Sequence, residues 1–313
     1  MMKSKKDYQI LKYLVEDARI PLTTLAKKTL LSRESVQYRL KNMEKNIIRG
    51  YQARINLNFF ADAIYTLFLN IQNSSRQEAI KKLRRLPSVH WVGNSGGRWN
   101  YIVTFSTNKE NNLENFLNNL FSSFSNKILR YSFAQHIKEY KDTFGGLFGI
   151  KEIKTSERTI KEKIELDDWD IKIINELTKD ASISNLKIAE KLKTTRETIR
   201  KRIKYLESQQ IILNYRTMIN PEELGLENYV LTIKTKTLKL LDIKSLISFF
   251  INLSECSYVC VVLGEISIFV TLSVKSLKSL DEISNKIQKE FYPIITEVEP
   301  LPLFEIGEQT YEL

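Results

Sequence analysis

Apolar residues recur at helical spacing in two similar stretches that lie far apart in the sequence. In each stretch three apolar residues follow the spacing i, i+4, i+7: Val36, Leu40 and Met43, and then Ile199, Ile203 and Leu206. This spacing buries one narrow stripe of a helix and leaves its other faces exposed. The pattern predicts two helices, over residues 32–45 and 194–207, whose exposed faces are rich in Lys and Arg.

The similarity extends along most of the chain. The tetrapeptide Asp17–Ile20 returns 163 positions later as Asp180–Ile183, and the offset becomes 164 at Tyr51 and Tyr215. A repeat of this length is far too long for a solenoid, in which each repeat is a single supersecondary unit. We therefore interpret the chain as an internal duplication in which each copy contains several helices and strands.

The first part of each copy is predicted to be a winged helix-turn-helix. Two short amphipathic helices precede the basic helix, and Pro21 suits the first turn of the second one because its missing N–H is not needed there. Ser32 in the first copy, and Thr194 or Thr195 in the second, are placed to cap the basic helix. The stretch Ile47–Ile55, with Gly50 at its tip, is expected to form a two-stranded wing.

The second part of each copy alternates strand-like and helix-like patterns in the order βαββαβ, which is typical of a ferredoxin-like split unit. The fold class is therefore α+β, as a tandem duplication of a winged helix-turn-helix domain followed by a βαββαβ domain. The expected domains are 1–58 and 59–145 in the first copy and 167–221 and 222–313 in the second. A glycine-rich and then charged linker is expected over 146–166.

Four segments carry a resemblance to a known family: Asp7–Leu11, Asp17–Ile20, Ser32–Glu44 and Ile47–Tyr51, with counterparts in the second copy. In residue types and spacing they resemble the Lrp/AsnC family of bacterial and archaeal transcription regulators. The resemblance implies a DNA-binding winged helix joined to a βαββαβ domain for ligand sensing and oligomerisation. The usual member has one copy, so this chain looks like two copies fused in tandem.

The resemblance also implies how the copies assemble. The two βαββαβ domains are expected to pair sheet to sheet, as two subunits do in single-copy relatives, so that one chain is an intramolecular pseudo-dimer that can form a homo-oligomer. Two departures from the family pattern stand out. The glycine usual before the wing is replaced by Asn46 and Gln210. The sensing-domain turn, usually Gly-x-x-Asp, ends here in Asn100 and Ser267, which argues against amino-acid sensing of the usual kind.

Charge adds a class of partner to this picture. Lys and Arg number 48 against 37 Asp and Glu, a formal net charge of +11, which favours nucleic acid over a membrane surface as the polyanionic partner. The sequence has no apolar run long enough to span a membrane, and its basic start is not followed by the apolar segment of a secretion signal. Two cysteines do not make a disulfide framework, so a reducing cytoplasm is the expected location.

The basic helices supply the candidate DNA contacts. Arg33 and Arg196 are placed for bidentate contact with guanine, and Gln37 for adenine. The remaining candidates for base or phosphate contact are Ser35, Tyr38, Lys41, Thr198, Arg200, Lys201 and Lys204. The alternative is a solvated basic face without a partner. Arg39 and Arg202 are expected to brace their domains through Glu44 and Glu207.

Turn residues of the sensing domains supply the candidate effector site. Gly97 with Asn100, and Gly264 with Ser267, offer turn donors for a small effector such as an amino acid. The alternative is a tight hairpin whose glycine needs a positive φ. Both interpretations stay open for the first copy, and the hairpin is favoured for the second.

No other pattern indicates a metal, a cofactor or a catalytic group. His90 and His136 have no second ligand at metal spacing and are expected to be structural or surface groups. Cys256 and Cys260 fall on one face of a strand, as a buried apolar pair would. The sequence thus favours a sequence-specific double-stranded DNA-binding transcription regulator that is not an enzyme. One alternative is a sirohaem decarboxylase, since these enzymes resemble Lrp/AsnC proteins in their two-domain architecture and some of them are fused pairs of about this length. The other is a chromatin-type protein that binds DNA with low sequence specificity.

Overall fold

The computed structural model describes residues 4–72, 75–150 and 164–306. Within them the α-helices are α1 (Lys5–Glu16), α2 (Leu22–Thr29), α3 (Arg33–Met43), α4 (Arg76–Arg84), α5 (Leu113–Phe124), α6 (Asp168–Lys179), α7 (Asn185–Lys191), α8 (Arg196–Ser208), α9 (Leu240–Asn252) and α10 (Leu277–Phe291). The β-strands are β1 (Ile48–Ile55), β2 (Ala63–Ile71), β3 (Val89–Ser95), β4 (Tyr101–Thr107), β5 (Ile128–Asp142), β6 (Ile212–Ile219), β7 (Glu227–Thr235), β8 (Cys256–Gly264), β9 (Ile268–Val274) and β10 (Ile295–Ile306). This order confirms the predicted fold class, a duplicated helix-turn-helix and βαββαβ.

The described residues form two compact units, and each unit takes one part from each copy. The first unit contains the described residues 4–60, 143–150 and 164–225, and therefore both helix-turn-helix domains. The second unit contains the described residues 61–72, 75–142 and 226–306, and therefore both βαββαβ parts. The two copies are thus paired like with like.

In the first unit, each helix-turn-helix domain consists of three helices around an apolar core. Ile10 of α1 and Val36 of α3 are fully buried in the first of these cores. The helices begin where a side chain satisfies the free backbone N–H groups of the first turn. Ser4 accepts such a bond at α1, and its equivalent Asp167 accepts two at α6. The local sequence therefore fixes the ends of these helices as well as their buried faces.

The wing is built differently from the prediction. The stretch Ile47–Ile55 does not fold back on itself, and Gly50 is not at a tip: it lies within β1, opposite Met218. The strand β1 pairs antiparallel with β6 of the other copy, so the two-stranded ribbon takes one strand from each domain. The ribbon therefore joins the two helix-turn-helix domains.

The pairing follows an internal two-fold symmetry. Gln52 pairs with Arg216, which occupies the equivalent position in the second copy, so the pseudo-axis passes between these two residues. Equivalent backbone hydrogen bonds are found on both sides of this axis. The N–H of Ala18 donates to the carbonyl of Tyr215 at 3.2 Å, and the N–H of Ala181 donates to the carbonyl of Tyr51 at 2.8 Å. The helix-turn-helix pair thus has the arrangement of a symmetric dimer within one chain.

The segment after β5 packs on the first helix-turn-helix domain. Gly145–Phe148 forms a short 3₁₀ helix, and Phe148 is 2% exposed, with its ring centroid 5.3 Å from that of Tyr8 in α1. The linker expected over 146–166 therefore does not begin at 146: apolar side chains hold residues 146–150 against the domain core. Its charged part, residues 151–163, lies outside the described residues.

In the second unit the two βαββαβ parts close into one barrel. Its strand order is β10-β3-β4-β2-β5-β8-β9-β7, so the edge strand of each four-stranded sheet pairs with an edge strand of the other. The expected sheet-to-sheet pairing is present as a closed structure rather than as two stacked, open-edged sheets. Closure satisfies the backbone groups that edge strands would otherwise leave unpaired.

Three apolar clusters fill this unit. One packs α4 and α5 on the first sheet, where the rings of Phe105 and Phe116 stack at 3.6 Å. A second packs α9 and α10 on the other sheet. The third combines side chains of both copies, among them Phe68, Trp99 and Phe269. The third cluster is therefore a core that both copies share.

Candidate nucleic-acid interface

The helix-turn-helix turn has the same backbone in both copies. Leu30 and Lys193, at equivalent positions between the second and third helices, both have a left-handed φ of 53°. The third helices then begin at caps: Ser32 accepts from the N–H of Ser35, and Thr195 from that of Thr198. Of the two caps that the sequence left open in the second copy, the structure uses Thr195.

The third helices bury the predicted stripe and expose the predicted contacts. Val36 is fully buried and Met43 is 4% exposed, whereas Leu40 is only partly buried. The predicted DNA-contacting side chains that are exposed are Arg33, Gln37, Tyr38, Lys41, Arg196, Arg200, Lys201 and Lys204. Ser35 and Thr198, one turn from the caps, are partly buried. Both helices thus offer a continuous polar face to a ligand.

We call α3 and α8 the recognition helices, after the role that the sequence predicts for them. They differ by an ion pair that sequence patterning did not single out. In α8 the guanidinium of Arg200 donates two bonds to Glu197, at 2.8 and 2.6 Å. This pairing lowers the pKa of the Glu197 carboxyl. In α3 the equivalent carboxylate, Glu34, has Gln37 in place of an arginine one turn on, and the N–H bonds of the helix start lower its pKa. In α8, unlike α3, a candidate DNA-contacting side chain is therefore held by a neighbouring carboxylate.

A second arginine of each recognition helix braces the domain. Arg39 donates to Asp7 at 2.7 Å, and Arg202 donates to both Asp167 and Asp170 at 2.8 Å. Asp170 is 5% exposed, so Arg202 holds a largely buried carboxylate. The bracing role was predicted, but its partners were not.

The expected partners, Glu44 and Glu207, have another role. Glu44 accepts a bond from the hydroxyl of Tyr51 at 2.8 Å, and Glu207 accepts one from that of Tyr215 at 2.7 Å. Burial, together with these carboxylates, raises the pKa of both tyrosines. Each carboxylate thus ties the end of a recognition helix to the strand that follows it.

The candidate effector residues form hydrogen bonds within the second unit, which we call the sensing unit after its predicted role. The side chain of Asn100 accepts from the N–H of Ile71 at 2.9 Å and donates to its carbonyl at 2.8 Å. Ser267 accepts from the N–H of Thr235, the equivalent of Ile71, at 3.0 Å. Both residues therefore close the end of a strand in the same way.

The two turn glycines are required for different reasons. Gly97 has a φ of +84°, which favours glycine. Gly264 has no such φ. It lies opposite Ala134 where β8 meets β5, and a Cβ there would be 2.2 Å from the carbonyl oxygen of Phe133. The hairpin interpretation of Gly264 is therefore corrected: glycine is needed because two strands approach closely.

The turns of the two copies meet at an ion pair. Arg98 and Glu265 occupy equivalent positions, and their side chains are joined at 2.5 Å. Phe68 and Trp99 line the adjoining cavity, whose volume of about 20 Å³ is enough for one water molecule. A cavity of this volume is too small for an amino acid.

The chain is similar to known proteins in sequence. A model of the AsnC-type helix-turn-helix domain matches residues 4–44 and 166–207. The leucine-responsive regulatory protein of Haemophilus influenzae is 42% identical over 72 residues, which are 23% of this chain and 42% of that protein. An uncharacterised HTH-type transcriptional regulator of Pyrococcus furiosus is 31% identical over 127 residues, which are 40% of this chain and 82% of that protein. The chain belongs to the Lrp/AsnC family. The helix-turn-helix domain of this family is present twice in the chain, and the relatives named here are transcription regulators.

The fold of this Lrp/AsnC protein is also that of an enzyme. The crystal structure of the siroheme decarboxylase NirDL superposes with a TM-score of 0.64, at 12% identity, and the match covers 98% of this chain and 93% of that one. At this identity the likeness shows the fold alone. The prediction that the protein is not an enzyme is nevertheless overturned, because its full-length architecture is found in an enzyme and does not separate the two classes.

The histidines and cysteines of the Lrp/AsnC chain lie in the sensing unit. His90 is buried and its Nε2 is 2.7 Å from the hydroxyl of Ser106, while His136 makes the same contact with Thr66. Both cysteines are free and buried, and burial raises the pKa of Cys256 to about 12. No helix in the described residues is long and apolar enough to cross a bilayer.

Acid should act unequally on the two helix-turn-helix domains of this family member. The pKa of the Asp167 carboxyl is held below its ordinary value, first by the bond from the backbone N–H of Asp170 and next by Arg202. The equivalent cap in the first domain is Ser4, whose hydroxyl does not titrate. A lowered folded-state pKa stabilises the fold above the ordinary carboxyl pKa of about 3.9, and this stabilisation is lost as the pH falls through the lowered value. The stability difference between wild type and Asp167→Ser should therefore shrink as the pH falls below about 4. Urea unfolding followed by Trp169 fluorescence at several pH values measures it, and a pH-independent difference would contradict the assignment.

Proposed function

We propose that this Lrp/AsnC protein is a sequence-specific regulator of transcription that binds double-stranded DNA in the cytoplasm through α3 and α8. The observation that carries the proposal is the pair of capped recognition helices, which expose the predicted base-contacting side chains while their opposite faces are buried. Such helices enter the major groove, where their N-terminal residues meet base edges. Arg33 and Arg196 occupy this N-terminal position.

The two helices support a further element of the proposal, namely that the half-sites differ. A symmetric homodimer presents identical helices and reads a palindrome. Here Gln37-Tyr38 of α3 stands where α8 has Arg200-Lys201, and only α8 has the Glu197–Arg200 pair. The ribbon of β1 and β6 holds these unlike helices in one unit. We infer a composite site of two unlike halves in a fixed order.

Removing Arg33 or Arg196 should relax base preference in different halves of the site. Each change to alanine removes a potential bidentate contact to guanine and should cost about 1–3 kcal/mol at that position. The measurement is selection of bound sequences from a random pool, followed by titration of fragments altered in one half. Lys278→Ala, an exposed change in the other unit, is the matched control. Loss of preference in the same half for both variants would contradict the inference.

A salt titration distinguishes sequence-specific regulation from the chromatin-type alternative. Phosphate contacts alone give similar affinity for every fragment, whereas specific sites are typically bound about 10³-fold or more tightly than random DNA. Selected sites and random fragments of equal length are therefore compared at several salt concentrations. Equal affinity for both would refute sequence-specific binding and leave a general DNA-binding protein.

Regulation by a small effector is not part of this proposal. The family carboxylate is absent from both turns, and Asn100 and Ser267 already bond the backbone. Arg98 and Glu265, which line the small cavity, are paired with each other. The side chains of Asn100, Ser267, Arg98 and Glu265 are therefore all engaged within the protein.

A second candidate function is decarboxylation of sirohaem, and the full-length fold match favours it. The cavity beside Trp99 holds about one water molecule, so a tetrapyrrole would have to separate Arg98 from Glu265. Titration of the purified protein with sirohaem, followed by its visible absorbance, tests binding, and mass spectrometry of the recovered pigment tests loss of carboxyl groups. Turnover would establish the enzyme. If the pigment is recovered unchanged and the protein binds specific DNA, the enzyme is refuted and the proposed DNA-binding regulator stands.

A further inference from the structure

The helix α4 of the first sensing domain has an unusually one-sided charge. Between residues 76 and 85 there is one anion, Glu78, and the cations are Arg76, Lys81, Lys82, Arg84 and Arg85. These residues supply +4 of the formal +11 of the whole chain. A solvated helix face usually mixes both signs, so this concentration of one sign needs a reason.

The structure places these cations on the outside of the second unit. Ala79, Ile80 and Leu83 are buried against the sheet, which turns the remaining faces of α4 outwards. Lys82 pairs with Glu78 at 3.2 Å. For Lys81, Arg84 and Arg85, the described part of the chain contains no carboxylate within salt-bridge distance. Three exposed cations are thus available to an external anion.

The available cations border one recess. It has a volume of about 340 Å³ and is lined by Gln77, Ile80, Lys81, Arg84 and Arg85. The rise from Lys81 to Arg85 is about 6 Å along the helix axis. The phosphates of one DNA strand follow one another at about 3.4 Å of axial rise, so neighbouring cations can meet neighbouring phosphates.

The duplication supplies an internal control for this charge. Val89 and Cys256 begin equivalent strands, so the positions of Lys81, Arg84 and Arg85 correspond in α9 to Ser248, Ile251 and Asn252. The two helices pack on equivalent sheets. The βαββαβ fold therefore does not need the cations. Lys81, Lys82 and Arg84 do lie in the last turn of α4, where the helix dipole favours cations. The same dipole acts at the end of α9, whose last turn has no basic residue, so the dipole does not require them either.

We propose that α4 is a second DNA-contacting surface, which binds the phosphate backbone of duplex DNA outside the sequence that the recognition helices read. The proposal rests on the proposed function, because it takes DNA as the partner of the chain. Charge complementarity supports duplex DNA as the occupant. Phosphate contacts of this kind add affinity and salt dependence but no sequence preference. The recognition helices choose the site, and α4 lengthens the DNA that is bound.

The test compares two DNA lengths and two matched variants of the full chain. The first variant is Lys81→Gln/Arg84→Gln/Arg85→Gln. The control is Lys275→Gln/Lys278→Gln/Lys289→Gln, which removes the same charge from exposed positions of the same unit. One duplex contains only the selected site, and the other extends it on both sides. Thermal unfolding of each variant checks that the fold is intact.

The α4 variant should bind the short duplex as the wild type does and the long duplex at least about tenfold more weakly. On the long duplex the slope of log affinity against log salt should fall by about 0.9 for each lost phosphate contact. The control should behave as the wild type. An unchanged affinity of the α4 variant for long DNA would overturn the proposal, and so would an equal loss in the control.

The same measurements separate this proposal from the proposed function. If the wild type selects a site and binds it on the short duplex, the regulator stands whatever the α4 variant does. If the wild type binds neither duplex, both proposals fail. Vesicles of acidic phospholipid supply a further arm: α4-dependent binding to vesicles, with unchanged binding to long DNA, would assign the surface to a membrane and overturn the DNA contact.

Discussion

Gly264→Ala should destabilise the sensing unit by about 3 kcal/mol. The added Cβ would be 2.2 Å from the carbonyl oxygen of Phe133 and 3.0 Å from the Cα of Ala134. Both atoms belong to the backbone of β5, so no side chain can rotate away, and the strands β5 and β8 must separate. Urea unfolding in a Trp169→Phe background measures the effect, because the remaining tryptophans, Trp91 and Trp99, lie in the sensing unit.

Gly50→Ala is the matched control, and because Gly50 lies in the first unit its effect is followed with Trp169 in place. Gly50 is also a strand residue, but nothing lies within 4 Å of a Cβ built on it, and its φ is not in the left-handed region. The change should alter stability by no more than about 1 kcal/mol, and in the stabilising direction, because alanine restricts the unfolded chain more than glycine does. Equal stability of Gly264→Ala and wild type would show that the seam between β5 and β8 is not closely packed.

Arg202→Ala should destabilise the second helix-turn-helix domain by about 2 kcal/mol. The change leaves the carboxylate of Asp170, with 7% of its side chain exposed, without its ionic partner. The value lies below the roughly 3–5 kcal/mol typical of a fully buried pair, because 30% of the Arg202 side chain is exposed. Trp169 of α6, whose ring lies 5.8 Å from the guanidinium, reports the unfolding.

Two further variants separate bracing from DNA contact. Lys204→Ala removes an exposed cation from the same helix and should weaken DNA binding without changing stability. Arg202→Lys keeps the charge but lacks the planar fork that reaches both Asp167 and Asp170, so it should restore only part of the stability. If Arg202→Ala weakens DNA binding while the unfolding midpoint stays that of the wild type, Arg202 contacts DNA and does not brace the domain.

Sequence reasoning succeeded where the decisive interactions are local. The spacing of Val36 and Met43, and the hydroxyl that precedes each recognition helix, depend on residues within one or two turns. The duplication also supported the predicted order of helices and strands, because the same order could be predicted separately from each copy. The fold class follows from such information, and so does the exposed face of each recognition helix.

The same reasoning failed where the partner is remote. Ile47–Ile55 has a glycine near its middle and strand-forming residues on both sides, as a hairpin would, but β1 pairs with a strand 164 residues further along the chain. The local choice of Glu44 as the partner of Arg39 failed for the same reason, because Asp7 lies 32 residues away and only the packing of α1 on α3 brings it close. Spacing gives no information about such contacts.

Gly264 shows a third kind of failure. A glycine in a turn is ordinarily explained by its own backbone angles, and Gly97 follows that rule with a φ of +84°. For Gly264 the reason lies in another strand, since a Cβ at this position would be 2.2 Å from the carbonyl oxygen of Phe133. The sequence contains both glycines at equivalent positions and gives no sign that they serve different purposes.

The β1–β6 ribbon has a consequence for the order in which the protein can fold. During synthesis the first recognition helix is complete long before β6 exists, and until Ile219 has been added β1 is an unpaired strand edge. Unpaired edges pair readily with other chains, and long-range strand pairing is slow to form. Two neighbouring nascent chains can therefore join through β1 before either is finished.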